Sequence, residues 1–96
     1  MKTAKKVKDL QWNGDAAVYK LSEMVEFDGY DDDKQKTNHV VVSAVVAMDH
    51  GGPETFIFPS DKNGKTYRML EMKGSFRGEL NHAKALNGLG FKLVKQ

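Results

Sequence analysis

The chain has no cysteine, only two prolines, one tryptophan and two arginines among its 96 residues. Without cysteine there is no disulfide, no thiolate nucleophile and no thiolate metal site. No stretch approaches the roughly 18 consecutive apolar residues that span a bilayer, and no apolar leader follows Met1. The chain therefore reads as soluble and intracellular, with no membrane partner. No GxGxxG or GxxxxGK[ST] loop is present, and Ser22, Ser43, Ser60 and Ser75 lack the flanking glycines of a nucleophile elbow. The five glutamates and eight aspartates form no acid–base pair that spacing alone reveals. A large excess of one charge is missing too. Fifteen basic residues against thirteen acidic ones leave a net charge of +2, which implies neither a nucleic acid nor a membrane surface by itself. An enzyme is the class least supported, and no cofactor or metal is expected.

What remains suffices for one small folded domain. Leucine, isoleucine, valine and phenylalanine make 22 of 96 residues, above the roughly 20% below which chains tend to disorder. The first eight residues carry four lysines and little to bury, so residues 1–8 read as a flexible basic arm and 9–96 as the domain. Asn13-Gly14 suits a tight hairpin turn between strands at 7–12 and 16–22. Residues 23–38 are acidic and apolar-poor and read as an exposed loop, its first half pinned by Met24, Val25 and Phe27. The run from His39 to Met48 is β-branched and apolar at every phase, the signature of a strand buried on both sides. Residues 55–58 form another strand that Pro59 should stop, and 66–72 a further one with Tyr67, Met69 and Leu70. Leu80, Ala83, Leu86 and Leu89 then recur at helical spacing, with Gly88 as a left-handed stop and Phe91 to Val94 as a closing strand.

The spacing predicts an α+β fold: a mostly antiparallel, twisted sheet of five or six strands with one C-terminal helix on one face. A single short helix cannot cover both faces of the strand at 40–48. Either the sheet curls into a half-barrel or a second copy covers the other face as a homodimer.

Several groups of residues invite chemistry. Asp28, Asp31, Asp32 and Asp33 supply hard oxygen donors, but without the ligand spacing and glycine of a calcium loop. They read as a solvated acidic loop, or as a surface for a protein partner. His39, His50 and His82 fall on three separate elements, so no local two-histidine metal spacing exists. Lys2, Lys5, Lys6 and Lys8, with Tyr19, Phe56 and Phe58 as stacking surfaces, compose the case for nucleic-acid binding. That case is the less favoured one, since no RNP-type sequence is present. The segment Gly74-Ser75-Phe76-Arg77-Gly78-Glu79 is the most suggestive. Two glycines permit close backbone approach, a helix starts near Glu79, and Arg77 offers a planar fork. Gly74, Ser75, Arg77 and Gly78, with His82 one turn on, compose a candidate cradle for a small anionic, nucleotide-like ligand. The plainer reading is a capped helix start in which Arg77 pairs with a local acid.

The order Val41-Val42-Ser43-Ala44, Gly52-Pro53-Glu54-Thr55-Phe56-Ile57-Phe58-Pro59, Gly74-Ser75-Phe76-Arg77-Gly78, His82, Ala85-Leu86 and Gly90-Phe91 resembles a group of small phage-encoded accessory proteins. The likeness spans roughly residues 16–96. It carries no catalytic residues. It implies a protein of the host-cell cytoplasm that works by binding, inhibiting a host defence or regulatory protein or sequestering an anionic ligand. The long acidic insertion between Leu21 and Val40 departs from the group's shorter loop.

Overall fold

The β-branched run around Val40 builds the centre of the molecule. The computed structural model describes residues 2–12, 14–29, 33–47, 52–67 and 71–94. Its elements are β1 (Thr3–Leu10), β2 (Asp15–Asp28), β3 (Lys34–Ala47), β4 (Gly52–Ser60), β5 (Phe76–Arg77), α1 (His82–Leu89) and β6 (Lys92–Val94). All belong to one sheet in the order β5-β4-β3-β2-β1-β6, with α1 laid on its inner face. Pairing is antiparallel except between β1 and β6, which run parallel. This is the α+β half-barrel that the patterning predicts.

Alternation along the central strands sorts the core into two layers. Ala4, Ala17, Tyr19, Leu21, Val40, Val42 and Ile57 point inward, where Ala85, Leu86 and Phe91 cover them. Val18 and Val41 point outward, yet both are 0% exposed. Their roof is the turn at residues 61–65: a Cβ placed on Gly64 would come within 2.8 Å of Val18 Cγ2 and 2.9 Å of Leu10 Cδ2. Trp12 closes the same layer, its ring 6.3 Å from that of Phe58. The chain thus covers Val40, Val41 and Val42 from both faces by itself, while Val46 near the end of β3 stays 52% exposed.

Both prolines sit inside β4, so Pro59 does not end it. Residues 53, 55, 57 and 59 turn their backbone groups away from β3: Ile57 takes Met72 N–H on its carbonyl at 2.8 Å, and Pro59 takes Tyr67 N–H at 2.9 Å. A missing N–H on that outer side removes no rung of the β3–β4 ladder. The strand expected over 66–72 is reduced to one bridge between Thr66 and Ser60, and Arg68, Met69 and Leu70 lie outside the described residues.

Three other expectations are corrected. The N-terminal arm is β1, an interior strand hydrogen-bonded to β2 on one side and β6 on the other, with Ala4 in the core. Its lysines concealed it, because a strand between two others needs few inward side chains if its backbone bonds are made. The acidic stretch at 23–38 is largely a hairpin, β2 running to Asp28 and β3 starting at Lys34. Lastly, α1 starts at His82 with Asn81 as its N-cap, leaving Leu80 exposed, and ends on left-handed Gly90 rather than Gly88. Gly88 stays helical because Gly74 packs on it: a Cβ on Gly88 would fall 2.8 Å from Gly74 Cα.

Removing residues 1–8 tests the status of β1. The truncated chain is expected to lose its cooperative thermal transition by circular dichroism, since deletion strips an interior strand and orphans both neighbouring ladders. An unchanged melting curve would show that the segment is an arm after all.

Candidate functional site

The segment expected to cradle an anion is spent on the fold. Ser75 Oγ accepts the Ile57 N–H at 2.9 Å, and Gly78 N–H donates to the Pro53 carbonyl at 2.8 Å. Phe76 and Arg77 form β5, pairing with Thr55 and Glu54. Arg77 Nε donates to Glu54 Oε1 at 2.9 Å, and the guanidinium lies 5.6 Å from the Phe56 ring centre. Gly74, at φ 105, passes beneath the helix, where a Cβ would stand 2.4 Å from the Ala85 carbonyl oxygen. At the helix start, Asn81 Oδ1 already accepts the Lys84 N–H at 3.0 Å. Glu79 is held by Asn81 Nδ2 and Lys84 Nζ, which keep its carboxyl below the usual glutamate value. Gly74, Ser75, Arg77 and Gly78 are therefore brought together as a connector, and the arrangement in which Arg77 and free helix N–H groups face one cavity does not form.

His82 is equally committed. Its Nε2 lies 2.9 Å from the Asp15 carbonyl, which can only accept, so in the neutral ring Nε2 carries the proton. Nδ1 then accepts from the Tyr19 hydroxyl at 2.8 Å, with the two rings edge to face. Burial pushes the Tyr19 phenol up to about 12, with the charges of Asp15 and Asp9 adding to the shift. Activation of a nucleophile runs the other way, toward easier proton loss. The pair ties α1 to β2.

The structure also separates the aromatic rings that base stacking would need together. Tyr19 faces the helix, Phe58 is buried, and Phe56 lies under the Arg77 guanidinium. His39 lies on the outer face and His82 on the inner, while His50 is outside the described residues. Among the described residues no group of three or more histidine, aspartate or glutamate side chains is placed to hold a metal ion.

The acidic hairpin carries its own counter-charges. Asp28 Oδ1 bonds Lys34 Nζ at 2.6 Å, Glu26 sits opposite Lys36, and Glu23 meets Lys2 at 3.5 Å. The Asp33 carbonyl accepts the Gly29 N–H at 2.7 Å, while Asp31 and Asp32 lie outside the described residues. Beside the turn end of this hairpin lies a cavity of about 310 Å³. Its floor is apolar, made by Phe27, Pro59, Met72 and Leu89. Its rim carries Glu26, Asp28 and Glu71, opposed by Lys73. Of the acidic residues singled out in the sequence, Asp28 reaches it and Asp33, the other described one, does not. The rest of the wall comes from β4, α1 and residues 71–73, segments that no local spacing links. Phe27 and Leu89 were visible as apolar anchors, but nothing signalled that they share a pocket.

No protein-family model, curated protein or solved structure matches the chain. Among the described residues no helix is long and apolar enough to cross a membrane.

The Tyr19–His82 contact gives a pH-dependent test. The folded protein holds the Tyr19 proton to about 12, whereas an unfolded tyrosine loses it near 10.0. Between those values the unfolded chain binds fewer protons, so this contribution to stability falls as pH rises. Tyr19→Phe should cost about 1–2 kcal/mol at neutral pH by orphaning His82 Nδ1. The gap to the parent, measured by denaturant titration, should narrow across that window; a gap independent of pH would refute the assignment.

Proposed function

We propose that the protein acts by stoichiometric, non-enzymatic binding of a host protein, in the manner of the phage accessory proteins its sequence resembles, inside the host cell. The observation that carries this reading is the pocket beside the turn end of the β2–β3 hairpin, apolar below, with three carboxylates against one lysine at the rim. Its volume of about 310 Å³ lies at the low end of the roughly 300–1,000 Å³ range of ligand pockets. That is room for one or two side chains of a docking segment. Charge complementarity selects a segment that presents a leucine or methionine flanked by lysine or arginine. The apolar residue supplies the anchoring energy, and the acidic rim steers encounter and fixes orientation. Inhibition by such docking consumes one copy of the protein per target.

Fluorescence anisotropy with short peptides carrying a central leucine between lysines, against glutamate-flanked controls, tests the docking chemistry. The basic peptides should bind more tightly, and the double variant Glu26→Lys, Glu71→Lys should weaken them at least about tenfold, the worth of one charge-assisted contact. Both positions are exposed, so stability should stay within about 0.5 kcal/mol per change. Equal binding of both peptide sets would sink the reading.

A further inference from the structure

On the outer face of the sheet, three basic residues form a straight row across three strands. Lys5 of β1 stands directly opposite Lys20 of β2, and Lys20 directly opposite His39 of β3. All three lie on the face away from the helix, since their strand neighbours Ala4, Tyr19, Leu21 and Val40 point into the inner core. The turn that roofs Val18 ends beside this row and brings Lys62 close enough for its charge to act on His39.

Like charges placed directly opposite on a sheet repel, and such a pair usually has a carboxylate close by. Here the acids are elsewhere. Among the described residues Lys5, Lys20 and Lys62 enter no ion pair, and neither do Lys8, Lys36, Lys65, Lys73 and Lys92, but only Lys5 and Lys20 stand directly opposite one another on adjacent strands. The one carboxylate that acts on His39 is Asp61, and it is engaged by its own turn, accepting the N–H groups of Asn63 at 2.8 Å and Lys65 at 3.0 Å. The His39 imidazole accordingly sits below its usual value, first through burial and then through Lys20 and Lys62. Lys5 and Lys20 thus face each other with no ion-paired carboxylate, while Asp61 places a negative charge near the His39 end of the row.

We propose that this row, Lys5, Lys20 and His39 with Lys62 at its end, is a binding site for a chain of phosphate groups. Adjacent strands lie about 4.8 Å apart, so the row is about 10 Å long. In duplex DNA each strand carries one charge per roughly 3.4 Å of helix axis, so a row of this length faces a short run of phosphates rather than a single one. Lysine ammonium groups are compact donors suited to phosphate oxygens from any direction. Beside the row the apolar layer of Val18 and Val41 is fully buried, leaving no pocket to anchor a peptide side chain. The sheet aromatics are also covered, so binding rests on phosphate contacts and ignores the identity of any base. The row lies on the opposite face from α1 and does not depend on the pocket that Leu89 of α1 helps to line.

The test uses the full chain with three probes: inorganic tripolyphosphate, a single-stranded oligothymidylate and a glutamate-rich peptide of matched charge. Both phosphate probes should bind with strong salt dependence, and bound phosphate should raise the His39 midpoint followed by its ring proton NMR signal. Lys20→Gln should weaken both at least about tenfold while melting no lower than the parent, because it relieves an unpartnered repulsion. Lys5→Gln provides the same readout if the first variant perturbs the sheet, and Lys84→Gln on α1, on the opposite face, is the control that leaves affinity unchanged. Tighter binding of tripolyphosphate would assign the ligand to free polyphosphates such as nucleotides, and tighter binding of the oligomer to a nucleic-acid backbone. The proposal is overturned if neither phosphate probe binds, if the peptide binds as well as they do, or if the lysine variants bind like the parent.

Discussion

Val40, Val41 and Val42 are consecutive residues of one strand, and all three are 0% exposed. Because side chains alternate across a sheet, this demands a roof on each face, and a chain of this length has one helix to spend. The helix covers the inner layer, and the turn at 61–65 with Trp12 covers the outer one. Much of the remaining architecture follows from that demand. Gly64 is where the outer roof meets the sheet, Gly74 and Gly88 let the loop before the helix pass tightly against it, and Asn81 and Gly90 fix where the helix starts and stops.

The roofs also decide where surface chemistry is left open. The inner cover ends near Leu89, and there the hairpin, β4 and residues 71–73 leave the apolar pocket with its acidic rim. The outer cover ends at the turn, and there Lys5 and Lys20 lie exposed with His39 half-buried beside them. By contrast, the segment from Gly74 to Glu79 lies between the sheet edge and the helix, where nearly every donor and acceptor is needed to join the two. The tightest loop in the sequence is thereby the poorest place for a ligand.

Residue patterns that act through a single element were legible in the sequence. The β-branched run and the amphipathic stripe before Gly90 each depend on neighbours within a few positions, and the α+β half-barrel could be read from them. What depends on cross-strand partners was not legible. Thr3–Leu10 looks like a tail because only Ala4 reaches the core, and its stability comes from backbone bonds to two strands far away in sequence. Asp28 looks like part of an acidic loop until register sets it against Lys34. Arg77 looks free for an anion until Glu54 lies opposite it across the sheet edge. The candidate sites fall in this second category. Each is assembled from strands whose pairing no local spacing encodes.

The near-balance of charge conceals how the charges are arranged. A net +2 spread evenly over the surface would give only a weak field in any direction. Here the carboxylates of Glu26, Asp28 and Glu71 gather by the helix end, while lysines without acidic partners gather on the opposite face. In water at physiological salt a charge is screened within about 8 Å, so a patch responds to its own neighbours and hardly to the total. Each face can then attract a ligand of its own sign preference without opposing the other. A net charge of +2 did not by itself imply a charged partner, and what each surface attracts is decided by its local residues: three carboxylates with Lys73 at the pocket, Lys5 and Lys20 on the other face.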